Sequence, residues 1–288
     1  VIAPSLPAGL YPFSSRWLDL GGYRYHYVDE GQGEPLLMLH GNPTWSFYYR
    51  HLIDHFRRRH RVVAPDHMGC GLSDKPQLYP YRLARHIDNL EALVEHLDLR
   101  RLTLVLHDWG GPIGMGLAAR HPERIHRLVL FNTAAFPSPR MPWAIALCRL
   151  PILGELLIRG LNLFAGLGTR VNVHRPMSPE VRAGYLAPYD SWAHRVALWR
   201  FVQDIPTSPR HPSWATLVSI QESLPRFADR PALLVWGERD FVFTRAFLDD
   251  WRGYLPRARV RTLPDAGHYV VEDAWERIIP WMEEFLET

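Results

Sequence analysis

Residues 104–111 read LVLHDWGG, an apolar run that ends in Asp108 and passes directly into glycine and a helix-like segment. A strand turning this sharply into a helix presents one side chain at the top of a sheet. The pattern is that of G-x-S-x-G, with Asp108 in the serine position. The exchange sets the chemistry. A serine alkoxide suits acyl carbons, whereas a carboxylate is a weak base that displaces amines and alkoxides poorly. A carboxylate can displace a good leaving group from a saturated carbon, leaving an alkyl ester on the protein.

A nucleophile at such a turn needs an acid and a histidine, and in this arrangement they follow it in that chain order. WGERD (236–240) supplies Asp240, and DAGHY (265–269) supplies His268. Both follow segments that read as strands, as Asp108 does, so all three are expected beyond the carboxyl ends of strands, where open α/β sheets bind ligands. Glu238 and Asp265 compete locally with Asp240. His107 and Asp66 read as structural neighbours of the site. In HGNPTWSFYYR (40–50), Gly41 permits close backbone approach. The backbone N–H groups of Asn42 and Trp109 would then form an oxyanion hole around the Asp108 carboxylate. The Asn42 amide and the Trp109 indole N–H are donors suited to a departing anion. Alternatively, Asn42 stabilises its own turn before Pro43.

These residues need a scaffold, and the first half of the chain supplies one. Residues 23–28, 36–39, 61–65, 102–107 and 127–132 read as strands. Helical patterns at 46–59, 82–98 and 111–120 alternate with them. Alternation of this kind implies a mostly parallel central sheet with helices on both faces. It breaks near Ala134 and resumes with strands at 232–236 and 259–263, a helix near 244–253 and another from about 273. The expected organisation is a core of residues 1–135 and 214–288 with an inserted helical cap at 136–213. Within the cap, MPWAIALCRLPILGELLIRGLNLF (141–164) is apolar with interspersed charge. It reads as a helix pair over an apolar pocket, with membrane-surface contact as the alternative.

Composition narrows the function further. The chain has 288 residues, 47% of them hydrophobic, and a net charge of only +3, which gives little support to nucleic-acid binding. Nearly all the positive charge is arginine; Lys75 is the single lysine. The cluster Arg57, Arg58, Arg59 and Arg61 reads as a solvated helix end. Cys70 and Cys148 fit no metal spacing, and reduced thiols in a cytoplasmic protein are expected. The N-terminal VIAPSLPAGLYPF lacks the features of a signal peptide, and no apolar run is long enough to span a bilayer. No P-loop, dinucleotide fingerprint or ligand cluster implies a cofactor or a metal.

HGNPTWS, PDHMGCGLSDKP (65–76), HDWGGPIG (107–114) and GHY resemble the haloalkane dehalogenase group of the α/β-hydrolase superfamily along the whole chain. The resemblance implies that Asp108 attacks a halogen-bearing carbon, that Asn42 and Trp109 cradle the halide, and that His268 activates water. One dehalogenase branch carries its acid after the strand that here ends in Asn132 and Thr133, so the acid here must be Asp240. NTAAFP (132–137), MPW (141–143), GYLAPYDSW (184–192), RFVQDIPTSP (200–209) and HYVVED (268–273) are more closely similar to the β-lactone decarboxylases of bacterial long-chain olefin biosynthesis. That likeness implies conversion of cis-β-lactones with long alkyl chains to cis-alkenes and carbon dioxide. It also implies assembly with the pathway's β-lactone synthetase and reductase. The alternatives are haloalkane hydrolysis and, behind it, epoxide hydrolysis, for which Tyr185 and Tyr189 are candidate acids by residue type. A catalytically dead receptor and a serine esterase fit least.

Overall fold

The computed structural model describes residues 9–287. The reading of the extreme N-terminus falls mainly on residues 1–8, outside the described residues. The strands are β1 (Ser15–Asp19), β2 (Arg24–Glu30), β3 (Pro35–Leu39), β4 (Arg61–Pro65), β5 (Leu102–His107), β6 (Ile125–Phe131), β7 (Ala232–Gly237) and β8 (Arg259–Leu263). They form one sheet in the order β1-β2-β4-β3-β5-β6-β7-β8. The pairs β1–β2 and β2–β4 are antiparallel and the others parallel.

Seven of these strands sit close to the segments read from sequence. β1 was not foreseen. It is an edge strand with no fully buried residue, and Trp17 is largely exposed, so it lacks the apolar signature that burial imposes on the central strands. β5, by contrast, is buried along its whole length.

Side chains alternate across the sheet with the strand period of two. Leu37, Leu39, Leu104, Leu106, Leu128, Leu130 and Trp236 face one core. Leu36, Met38, Val105, Val129, Phe131 and Val235 face the other. The first layer is closed by α2 (Leu83–His96), α3 (Gly110–Arg120), α9 (Trp214–Ser223) and α10 (Arg245–Tyr254), the second by α1 (Arg50–Phe56) and α11 (Val270–Leu286). The helix expected at 46–59 begins as a 3₁₀ turn, Ser46–Tyr49, before α1.

Between β6 and β7 the chain is helical: α4 (Trp143–Cys148), a single turn α5 (Leu153–Glu155), a π-helical turn Leu156–Gly160, α6 (Leu163–Val171), α7 (Pro179–Leu186) and α8 (Val196–Gln203), followed by α9. Buried polar ties hold these helices to α1, α2, α11 and the loop after β3. Arg50 forms a two-pronged ion pair with Glu272 at 2.7 Å, and Tyr185 of α7 donates to the same carboxylate. Trp45 donates to the Gly184 carbonyl, and Asp204 accepts from the Leu83 N–H. No helix among the described residues is long and apolar enough to cross a membrane.

Asp66, at the end of β4, fixes the loops beside the site. Its carboxylate accepts from the Ser46 and Leu72 N–H groups and from His26 Nδ1 at 2.7–2.8 Å. Burial alone would raise its pKa. The His26 and His40 imidazoles and these N–H donors outweigh burial and hold it at about 2. The folded value lies below the unfolded one. The resulting stability is therefore complete above about pH 4, is lost as pH falls through about 2, and amounts to about 2 kcal/mol. Urea unfolding of the wild type and of Asp66→Asn should show the stability gap narrowing by about that amount between pH 5 and pH 2; parallel curves would contradict it.

Candidate active site

Asp108 sits between β5 and α3 with φ of +48°, in the left-handed region that a non-glycine residue seldom adopts. The glycines around it make the turn sterically feasible. A Cβ at Gly41 would overlap the Asp108 carboxylate, one at Gly110 the Leu39 carbonyl, and one at Gly111 the Thr133 hydroxyl. The Thr133 hydroxyl donates to the Asp108 carbonyl, and Thr133 is itself held by the Trp251 indole at 2.8 Å. The turn is thus pinned from the adjacent strand as well as from below.

The Asn42 N–H donates to Asp108 Oδ1 at 2.7 Å, and the nearby Trp109 N–H also acts to lower the pKa of the carboxyl. Oδ2 lies 3.8 Å from His268 Nε2, too far for a hydrogen bond. One carboxylate oxygen is therefore restrained by the backbone while the other lies open beside the imidazole. Burial pushes the Asp108 carboxyl above its ordinary value, against the opposing pull of His268 and the two N–H groups. Burial works the other way on His268, but the charge and hydrogen bond of Asp240, with Asp108, hold its pKa above the ordinary value.

The structure brings Asp240 to His268: Nδ1 and Asp240 Oδ2 are 2.8 Å apart. Its sequence competitors lie at the surface, Glu238 paired with Arg245 and Asp265 with Arg277. Sequence reading treated Asn132 only as the absence of an acid. In the fold its amide donates to Asp240 Oδ2 at 3.0 Å and to the Gly237 carbonyl, and its oxygen accepts from the Gly237 N–H. The Val242 N–H holds the other Asp240 oxygen at 2.6 Å. The signal in the sequence was the polar pair Asn132-Thr133 at a buried strand end, where an amide without a partner is costly. His107 is structural: its Nε2 bonds the His268 carbonyl at 2.9 Å, and its ring stacks on Tyr48.

Asn42, Asp108, Trp109 and His268 meet at one end of a cavity of about 410 Å³. The remaining wall is mostly apolar, from Phe136, Leu147, Phe164, Val202 and Phe243 among others. The Asn42 amide is only partly free. Its nitrogen donates to the Leu198 carbonyl at 3.0 Å, while its buried oxygen has no partner. Tyr185 and Tyr189 do not line the cavity. Tyr185 donates to Glu272 and Tyr189 to the Thr44 carbonyl at 3.1 Å, so neither is placed to protonate an epoxide oxygen. Among the described residues, Glu91, Glu95 and His121 form the one group with metal-ligand spacing. Glu91 and Glu95 lie on α2 and His121 at the C-terminal end of α3, none of them lines the cavity, and Glu91 is already paired with Arg120, so they have no part in this site.

The residues 34–151 match the family model for the alpha/beta hydrolase fold. A cis-3-alkyl-4-alkyloxetan-2-one decarboxylase of Shewanella oneidensis is 48% identical, with 96% of this chain and 89% of that protein aligned. A protein of the same name from Xanthomonas campestris pv. campestris is 45% identical over 96% of this chain and 97% of its own length. Haloalkane dehalogenase 2 of Mycobacterium tuberculosis is 36% identical over 93% of both chains. Among solved structures, a haloalkane dehalogenase of Agrobacterium tumefaciens C58 superposes with a TM-score of 0.87 at 26% identity, covering 98% of this chain and all of the other.

The Trp109 indole N–H has no partner among the described residues, and its ring lines the cavity beside Asp108. An anion in the cavity would meet this donor. Bromide or iodide should therefore quench tryptophan fluorescence saturably, and Trp109→Phe should abolish the saturable part. An unchanged response in that variant rules out an anion site here.

Proposed function

This chain belongs to the family of the cis-3-alkyl-4-alkyloxetan-2-one decarboxylases and haloalkane dehalogenases, on the α/β-hydrolase fold, and we propose that it converts cis-β-lactones bearing long alkyl chains to cis-alkenes and carbon dioxide. The observation that carries the reading is a carboxylate with one open oxygen at the end of an apolar cavity. The 45–48% identity to the two decarboxylases selects the lactone over other electrophiles.

The chemistry follows from the geometry. Asp108 Oδ2 attacks the saturated ring carbon that carries the lactone oxygen. The C–O bond breaks, strain is released, and the ring opens to a free carboxylate joined to the protein through an ester. The Trp109 indole and the remaining Asn42 amide N–H receive the departing oxygens in a site of low polarity, where such donors act strongly. The C–C bond to the carboxylate then breaks. Its electron pair forms the alkene and expels Asp108 as carboxylate, so carbon dioxide leaves and no water is consumed. Inversion at the attacked carbon followed by anti expulsion keeps both alkyl groups on one side, so a cis ring gives a cis alkene. In this scheme the His268–Asp240 pair sets the charge beside Oδ2 and is not required to activate water.

Haloalkane hydrolysis is the second reading. It is favoured by the unpartnered indole beside Asp108 and by the 36% identity to a haloalkane dehalogenase. In that reading His268 delivers water to the alkyl ester. The proposal places the protein in the cytoplasm, beside the synthetase that closes the lactone ring and the reductase that precedes it.

Incubation with a dialkyl cis-β-lactone should give cis-alkene and carbon dioxide in equal amounts, and Asp108→Ala should retain less than about a tenth of the rate, as expected for loss of a covalent nucleophile. Recovery of only the 3-hydroxy acid, or of untouched lactone while bromoalkanes release bromide, would return the assignment to dehalogenation.

A further inference from the structure

Ten of the fourteen large hydrophobic residues that are exposed among the described residues fall within 143–171. Trp143 is 81% exposed, Ile152 76% and Leu161 66%. A ridge of this extent is unusual on a soluble surface and marks a contact with something apolar. Ile152 adds an independent sign. It stands at φ +63° and ψ −61° in a γ-turn closed by the Leu153 N–H on the Pro151 carbonyl. That conformation is strained for a β-branched residue. It turns the side chain outward, where nothing within the described residues covers it.

The charge on the segment is one-sided. Residues 140–175 hold five arginines and one acid, Glu155. Glu155 is paired with Arg159, while Arg140 and Arg175 find partners in Asp250 and Glu276. Arg149 and Arg170 have no carboxylate partner among the described residues, and Arg149 Nη1 is buried without any hydrogen bond. Apolar helices with tryptophan and unpaired arginine at their flanks match the interface of an anionic bilayer. A second copy of the chain fits poorly, because a two-fold contact on this ridge would set arginines against arginines.

The ridge is also continuous with the cavity. Trp143, Leu147, Leu163, Leu167 and Val171 are exposed and line the cavity as well. We infer that the α4–α6 ridge docks on the surface of an anionic lipid bilayer and opens the cavity toward the acyl layer. The second half of this inference rests on the proposed lactone activity. A dialkyl lactone dissolved in lipid would then reach Asp108 without crossing water, and the hydrocarbon product would leave the same way.

The test is sedimentation with vesicles of phosphatidylcholine alone and of phosphatidylcholine with about one-third phosphatidylglycerol, since arginines near an anionic surface bind it selectively. The wild type should bind the anionic vesicles and release from them as salt rises. Arg149→Gln and Arg170→Gln should each weaken binding about fivefold. Ile152→Glu with Leu161→Glu should weaken it by about tenfold or more. Neither of these two residues lines the cavity, so that variant should turn over a short, water-soluble β-lactone at the wild-type rate. Its rate on long-chain lactone held in vesicles should fall. Binding that ignores phosphatidylglycerol or survives the Ile152/Leu161 change overturns the docking. So does a ridge-dependent dimer that sediments without lipid. Because binding is read apart from turnover, a failed lactone assay with intact vesicle binding would strike the activity and leave the docking standing.

Discussion

Everything at the site depends on holding a carboxylate out of water with only one of its oxygens restrained. The left-handed backbone at Asp108, accommodated by Gly41, Gly110 and Gly111, brings its side chain under the N–H groups of Asn42 and Trp109. The His268 imidazole and the Asn42 and Trp109 N–H groups oppose the burial that raises its pKa. The Asn42 N–H also fixes its orientation, so the oxygen beside His268 is left facing the cavity. A freely rotating carboxylate in water would be solvated on both oxygens and would be a poor nucleophile.

The surroundings serve this arrangement at increasing distance. Asp240 orients His268; Asn132 and Val242 orient Asp240; His107 holds the His268 backbone. All come from strand ends or the loops just beyond them, where the parallel sheet converges its connections. The helices between β6 and β7 then close an apolar wall over the group. Their own outer surface stays apolar, so the same segment supplies both the wall of the cavity and the exposed ridge.

Much of this was legible in the sequence because burial writes a clear pattern. β3, β5, β6 and β7 are apolar runs since helices cover both their faces, and Asp108 and Asp240 stand out as polar residues beyond the ends of β5 and β7, while His268 follows the more exposed β8. β1 was not legible, since an edge strand half in water carries no periodic signal. The role of Asn132 was hidden for a different reason: an amide that bridges β6 to Asp240 is recognisable only once the two strands are adjacent. The partners of Tyr185 and Tyr189 depend likewise on how the helices between β6 and β7 settle on the rest of the fold. Residue type alone made them candidate acids, but contacts with Glu272 and Thr44 take them out of the cavity.

The central claim is that Asp108 becomes bonded to substrate carbon during turnover. Acid quenching within a single turnover on a dialkyl β-lactone, followed by peptide mass spectrometry, tests it directly. The account predicts a mass increase equal to the intact lactone on the peptide that spans β5 and the start of α3, located at Asp108 by fragmentation. An adduct on any other side chain, or full turnover with no adduct at any quench time, would contradict it.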